Sequence, residues 1–352
     1  MTTLVTGGSG HLGNAIVRTL LARGRSVRVL VHSESASLTG LTVERRLGDI
    51  LDRSSLEAAF AGVDVVYHFA AIVSLSPKDG ERVLRTNVLG TRNVIAACLA
   101  QGVKRLVYCS SIHALAPRHG NEPTDESCPP NTDRRATPYD RSKTESEAEV
   151  SRATGRGLDA VILNPTAVIG PHDYFPRLAG RALIDMYLGK LPVSIDGGFD
   201  WVDARDIAAA ALSAETRGRS GERYLLSGHW ASVADVAAAM RLATGRRGPR
   251  IVAPMGLAWL ALPFLAAAAK LKRTEPLYSA PALRTLTEHR ACNNAKARAE
   301  LGFAPRPLAR TIADTFAFYE QAGLLHAGAE RGTSLPAEAF VDGWVREAVP
   351  AR

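Results

Sequence analysis

The sequence predicts an α/β protein built on a Rossmann-type, doubly wound parallel sheet, with a smaller, discontinuous, mainly helical lobe beside it. Three observations carry that expectation. Short apolar runs alternate with amphipathic stretches through residue 111. The glycine-rich TGGSGHLG, residues 6–13, joins the first run to the first amphipathic stretch. A length of 352 residues is enough for a sizeable core and one or two domains.

TLVTG, 3–7, reads as a short buried strand ending in glycine. HLGNAIVRTLLARG reads as a helix, because Ile16, Val17, Leu20 and Leu21 share one stripe and Gly24 stops it. SVRVLVH, 26–32, is the second strand, LTVERRLGDI the third, SSLEAAFAG a helix and VDVVYHFAA the fourth strand. NVLGTRNVIAACLAQG is a helix and VKRLVYCSS the fifth strand. A polar loop, 117–136, leads to a helix opened by Thr137-Pro138, and LDAVILNPTAVIG, 158–170, is a further strand. Beyond Gly170 the rhythm changes to a loop and helix, a strand and helix in FDWVDARDIAAAALSAE, a short strand in GERYLLSG, then Ala/Leu-rich helices. The expected division is a dinucleotide-binding core over 1–170 and 201–228, a substrate lobe over 171–200 and 229–325, and a tail over 326–352.

The net charge of +8 comes mostly from scattered arginines, with no basic run interleaved with aromatics. That pattern argues against nucleic acid and favours small anions, phosphate-bearing cofactors among them. Cys98, Cys109, Cys128 and Cys292 lack metal-type spacing, so no metal is expected and free thiols in a reducing cytoplasm are. MTTLVTGG shows no secretory signal. The uncharged segment 251–269 is interrupted by Pro254 and Pro263, so a buried or lid helix is expected rather than membrane insertion; a peripheral contact is the lesser reading. The expected quaternary state is a monomer or homodimer.

Gly8-x-Gly10-x-x-Gly13, with Gly7 before it, lets the backbone turn tightly and approach a pyrophosphate at a helix amino terminus. Gly7, Gly10, His11, Leu12 and Gly13 are the expected contacts. An NAD site usually ends the second strand in an acid that binds the ribose 2′-hydroxyl. Here Val31 is followed by His32 and Ser33, which suits a 2′-phosphate, so NADP is expected ahead of NAD. Glu34 argues the other way, because its side chain can swing toward the ribose. Asp49, with Ile50, is a candidate for the adenine edge or else a turn cap. Phe69, Ala70 and Ala71 line the cofactor cleft.

TPYDRSK, 137–143, sets Tyr139 and Lys143 four residues apart, on one helical face. Pro138 suits the first helical position. Either the pair is a surface Tyr on a Lys stem, or it is chemical.

These residues resemble the extended short-chain dehydrogenases/reductases. TGGSGHLG, GDI at 48–50, HFAA at 68–71, NVLGT at 87–91, Ser110-Ser111 and YDRSK occur in that family's order, over about residues 1–325. VRVLVHS, SSIHAL, LNPTAVIGP and FDWVDARDIA are most similar to its dihydroflavonol-4-reductase-like branch, which also resembles 3β-hydroxysteroid dehydrogenases. The resemblance implies Ser111, Tyr139 and Lys143 as the catalytic trio, Asn87 as the asparagine near the active site, and Pro165 near the nicotinamide. The family often has Arg where Asn164 stands. On this reading Ser111 binds a carbonyl oxygen, Tyr139 is the general acid, and Lys143 lowers the phenol's pKa and holds the ribose.

His113 follows Ser111 closely and is a candidate substrate contact. Tyr174, Phe175, Phe199 and Trp201 either wall an apolar pocket or pack the core. Nucleotide-sugar epimerases of the family typically carry Arg where Phe199 stands, and dehydratases an Asp-Glu pair where Ile112-His113 follow Ser111. The expectation is therefore an NAD(P)-dependent oxidoreductase interconverting a ketone or aldehyde and an alcohol on a bulky apolar molecule of flavonoid, sterol or polyketide type. The alternatives are a nucleotide-sugar epimerase/dehydratase and a non-catalytic dinucleotide sensor.

Overall fold

The structure is a computed structural model that describes residues 1–118, 122–271, 279–288 and 291–326. The first half runs β1 (Thr2–Thr6), α1 (His11–Ala22), β2 (Ser26–Val31), β3 (Glu44–Leu47), α2 (Arg53–Phe60) and β4 (Val65–His68). It continues with α3 (Gly80–Leu84), α4 (Gly90–Gln101), β5 (Arg105–Cys109), α5 (Pro138–Thr154) and β6 (Ala160–Pro165). Then come β7 (Ala167–Ile169), α6 (Leu178–Tyr187), β8 (Val193–Ile195), β9 (Gly198–Asp203), α7 (Ala204–Arg217) and β10 (Arg223–Leu226). The last described elements are β11 (His229–Ser232), α8 (Val233–Thr244), β12 (Ile251–Ala253), α9 (Met255–Leu271), α10 (Ala280–Thr285) and α11 (Leu308–Gln321).

Seven strands form a wholly parallel sheet in the order β10-β6-β5-β4-β1-β2-β3. Both faces are covered, as a parallel sheet requires. Strand side chains alternate between the two cores. Val5, Tyr67, Val107 and Val161 pack toward α1 and α7, while Leu4, Val66, Leu106 and Ala160 pack toward α2, α4 and α5. From β1 the chain moves outward to β2 and β3, then returns to β4 on the other side of β1. The carboxyl ends of β1 and β4 therefore flank the crevice where such sheets bind ligands.

The stretch read as one strand over 158–170 divides at Pro165. Proline has no N–H for a ladder, and the chain leaves the main sheet there. β7 joins a three-stranded sheet, β11-β9-β7, which packs with α6, α8 and α11 in a third hydrophobic core. A two-stranded sheet, β12-β8, lies beside it, so the second lobe carries two small sheets among its helices. Ion pairs join the cores. Arg205 of α7 holds Asp203 and Asp314 at 2.7 Å each, and Arg306 holds Asp206 at 2.7 Å.

The segment expected to be a buried or lid helix is only half covered. Met255, Ala258 and Leu262 of α9 pack on Ile195, Leu283 and Leu286, whereas Leu257, Leu260 and Phe264 are exposed. Among the described residues no helix is long and apolar enough to cross a membrane. Cys98, Cys109 and Cys128 are buried free thiols. Of the expected tail, 326–352, all but His326 lies outside the described residues.

Candidate active site

The turn from β1 into α1 closes at the crevice. Gly7 has φ +74°, and a Cβ on it would stand 2.6 Å from the Ala70 backbone nitrogen. A Cβ on Gly13 would stand 2.1 Å from the Gly7 carbonyl oxygen. Side chains are thus excluded where a backbone cradle forms, and Gly10 caps α1 with no side-chain acceptor. Free N–H groups at a positive dipole end fit a diphosphate. His11 turns its Nε2 to the Pro171 carbonyl at 3.1 Å, and Leu12 packs against the core, so both offer backbone to this cradle.

At the end of β2 an open cavity of about 470 Å³ is lined by Ser9, His32, Ser33, Glu34, Ser35, Ala36 and Phe175. Phe175, expected at the substrate pocket, stands here instead, because the 170–177 loop folds back over α1. Glu34 does not turn into the cavity unopposed; its carboxylate pairs with Arg45 of β3. Asp49 behaves as a turn residue: its Oδ1 accepts the Leu51 N–H at 2.8 Å, and its Oδ2 lies 3.9 Å from His32 Nδ1. Ile50 buries its side chain under Gly90.

Phe69, Ala70 and Ala71 follow β4 along the crevice, with the Phe69 N–H bonded to the Thr6 carbonyl at 3.1 Å. His68, just before them, bridges Thr6 Oγ1 at 2.7 Å and Thr91 Oγ1 at 3.0 Å. Burial, and then the Lys143 charge, push His68 down to about 3, so it is neutral. Asn87 sits in a widened helical turn, Arg85–Leu89. Its amide holds both backbone groups of Ile72, at 2.8 and 3.0 Å, and donates to Ser142 Oγ at 2.8 Å. It supports the loop after β4.

Thr137 caps α5 in a reciprocal box with Asp140, and Pro138 occupies the first turn. This fixes the direction in which Tyr139 and Lys143 leave the helix. Ser111 lies close enough to the Tyr139 phenol to bear on its pKa, and Lys143 Nζ lies 5.9 Å from the centre of the Tyr139 ring. The structure therefore brings Ser111, Tyr139 and Lys143 together at the end of β5. The expected lowering of the phenol's pKa by Lys143 is overturned. Burial raises the Tyr139 pKa, and the neighbouring Ser111 hydroxyl opposes the rise. Lys143 is itself desolvated, which lowers its pKa, and its Nζ donates to the Cys109 carbonyl at 2.8 Å. The phenol in this setting is a held proton donor.

His113 adjoins the pair: its ring centre is 6.0 Å from that of Tyr139, and its Nδ1 is 3.4 Å from Asp140 Oδ1. Pro165 is buried at the end of β6. Of the proposed pocket wall, Phe199 packs edge-on against Trp201 at 5.2 Å between the lobe's two cores. Trp201 is core, with its indole N–H on the Ala231 carbonyl at 3.1 Å. Tyr174 accepts from Arg18 of α1 at 2.9 Å and packs on Phe318.

Sequence reasoning passed over Glu147, one turn beyond Lys143. Its buried carboxylate accepts from Ser110 Oγ at 2.6 Å and Asn164 Nδ2 at 2.8 Å, and pairs with Arg223 at 2.9 Å. The i, i+4 spacing from Lys143 was the available signal.

Comparison with known proteins places the chain. Sterol demethylase protein B of Methylococcus capsulatus is 36% identical over 335 residues, 92% of this chain and 100% of that protein. The 4-hydroxy-2-methyl-3-oxo-4-farnesyl-3,4-dihydroquinoline-1-oxide ketoreductase of Stigmatella aurantiaca is 34% identical over 324 residues, 87% of this chain and 92% of that protein. The crystal structure of gox2253 superposes with a TM-score of 0.82 at 32% identity, covering 92% of this chain and 99% of that one. Residues 3–227 match the model of the NAD dependent epimerase/dehydratase family. The chain belongs to that family.

Proposed function

We propose that this oxidoreductase reduces a ketone or aldehyde on a bulky apolar molecule, with NADP ahead of NAD as its dinucleotide. The juxtaposition of Ser111, Tyr139 and Lys143 at the end of β5 carries the reading. Residues 1–170 and 201–228 hold the dinucleotide on this reading, and 171–200 with 229–325 the substrate. Bound NADPH supplies the hydride. Ser111 Oγ donates a hydrogen bond to the carbonyl oxygen and orients it. Tyr139 then delivers its proton to that oxygen as charge develops there. Lys143 is one side chain away from the phenol and is the group placed to hold the ribose hydroxyls.

The apolar substrate class rests on three points. Phe199 stands where a diphosphate-gripping arginine would. The second lobe is rich in alanine, leucine and aromatics. Two relatives are named for a sterol and for a farnesylated quinoline ketone. The NADP preference rests on Glu34 being engaged by Arg45 while His32, Ser33 and Ser35 line the cavity after β2.

The test is NADPH oxidation across sterol ketones, aromatic ketones, aldehydes and nucleotide sugars, with Tyr139→Phe as control. Consumption with an apolar ketone, lost in Tyr139→Phe while dinucleotide still binds, is the expected result. Interconversion of nucleotide sugars without net NADPH loss replaces this reading with epimerisation. Binding with no turnover of any class replaces it with a sensor.

A further inference from the structure

We propose that α9 and β12 form a docking face for an anionic lipid bilayer surface, and that the protein lies on that surface without crossing it. The face divides α9 by its own periodicity. Met255, Ala258 and Leu262 turn inward onto Ile195, Leu283 and Leu286. Leu257, Leu260 and Phe264 recur with the same spacing on the other side and stand 58, 72 and 78% exposed. Ile251 and Val252 of β12, 60 and 48% exposed, extend the same apolar ground, and Trp259 is partly exposed beside it. Single exposed apolar side chains are ordinary, but a contiguous group of this size marks an interaction surface.

Charge identifies the occupant. Between Val236 and Thr274 there is no Asp or Glu, while Arg241, Arg246, Arg247, Arg250, Lys270, Lys272 and Arg273 fall on both sides of the apolar run. Arg246, Arg247 and Arg250 are exposed, and the Arg246 guanidinium is held 5.1 Å from the centre of the Tyr187 ring. An apolar strip beside exposed arginines, in a stretch of sequence without acidic residues, matches acyl chains bordered by anionic headgroups. A second copy packed through this face would set like charges against their symmetry mates. Among the described residues the helix is too short for a span: its 17 residues reach about 26 Å, short of the ~30 Å hydrocarbon core. Pro263 also interrupts the helix.

The inward side of the same helix packs with Phe199, so the docking face and the second lobe's apolar interior are two sides of one helix. The proposal does not depend on the reductase reading, because it is read by binding alone.

The experiment is co-sedimentation of the full chain with vesicles of phosphatidylcholine alone and of phosphatidylcholine with phosphatidylglycerol. Tryptophan emission is recorded in parallel, with Trp259→Phe to assign the signal. The expected result is binding that rises with phosphatidylglycerol and falls with salt, accompanied by a blue shift absent from Trp259→Phe. The double variant Leu260→Asp, Phe264→Asp loses tenfold or more of the partitioning and keeps its dinucleotide affinity. Arg246→Glu with Arg250→Glu removes the dependence on anionic lipid. No sedimentation with either vesicle overturns the proposal, whether velocity sedimentation then shows a dimer through this face or a monomer whose own tail covers it. Unchanged binding by Leu260→Asp, Phe264→Asp overturns it equally.

Discussion

The guanidinium of Arg223, on β10, lies 2.9 Å from the carboxylate of Glu147, on α5, behind the candidate catalytic residues. The other carboxylate oxygen holds Ser110 Oγ and Asn164 Nδ2, and Asn164 Nδ2 also donates to the Ser111 carbonyl at 3.0 Å. One buried charge thus fixes α5 against the strand end that presents Ser111. Asn164 is too short and uncharged to neutralise Glu147 from β6, and Arg223 does so from the neighbouring strand. Removing one partner leaves the other charge buried and unpaired.

Arg223→Met is therefore expected to lower unfolding free energy by about 3 kcal/mol and to reduce kcat more than it changes KM. Adding Glu147→Gln removes the stranded charge and restores most of the stability. Urea unfolding of the three variants checks this; strictly additive losses would contradict the coupling.

Gly13 and Gly24 offer a matched pair. A Cβ at Gly13 meets the Gly7 carbonyl at 2.1 Å, while Gly24, at φ +67°, has open space around it. Gly13→Ala should weaken dinucleotide binding by about tenfold or more, which is roughly 1.4 kcal/mol. Gly24→Ala should cost about 1 kcal/mol of stability through backbone strain and leave affinity alone. Fluorescence titration of NADPH alongside thermal melts separates the two effects. Equal affinities in both variants would remove the diphosphate from this cradle.

Glu34 and Arg45 decide between the two dinucleotides. Arg45 engages Glu34 and donates to the Leu38 carbonyl at 2.8 Å. Arg45→Ala releases the carboxylate beside the cavity and removes a cation, so the KM for NADPH should rise about tenfold with little change for NADH. Glu34→Gln should shift the ratio toward NADPH. Preference for NADH in the wild type, unaltered by either change, would reverse the assignment.

The sheet was legible because its inner strands are apolar and its glycines sit at one required turn; β3, ERRL and exposed, is the edge exception. The meeting of Ser111, Tyr139 and Lys143 was legible because helical spacing joins Tyr139 to Lys143 and the strand end supplies Ser111. What escaped was decided by contacts between distant segments. Phe175 reads as an apolar wall, yet the 170–177 loop carries it to the β2 cavity. Trp201 reads the same way, but its strand pairing with His229 sets it inside the lobe. The shift of Tyr139 depends on how deeply α5 is buried, which spacing along one helix does not encode.

His68 gives the pH prediction. Its ring is buried between Thr6 and Thr91, and its pKa falls to about 3 from burial first and the Lys143 charge second. In the unfolded chain a histidine titrates near ~6.5. Between those values the unfolded state binds the extra proton, so stability rises with pH through the window and is complete above its upper end. Lowering the pH to about 4.5 should cost roughly 2–3 kcal/mol from this residue alone. Carboxylates contribute their own losses in acid, so the comparison is with His68→Gln, whose stability should fall less steeply from pH 7 to 4.5 in urea unfolding. The Thr6 hydroxyl that bonds His68 also lies 3.4 Å from the Ala70 N–H, at the wall of the glycine cradle. Folded His68 stays neutral through this window, so its contribution to dinucleotide affinity should stay level from pH 7 to 4.5 while stability falls. Parallel stability profiles for the two proteins would mean that His68 titrates alike in the folded and unfolded states.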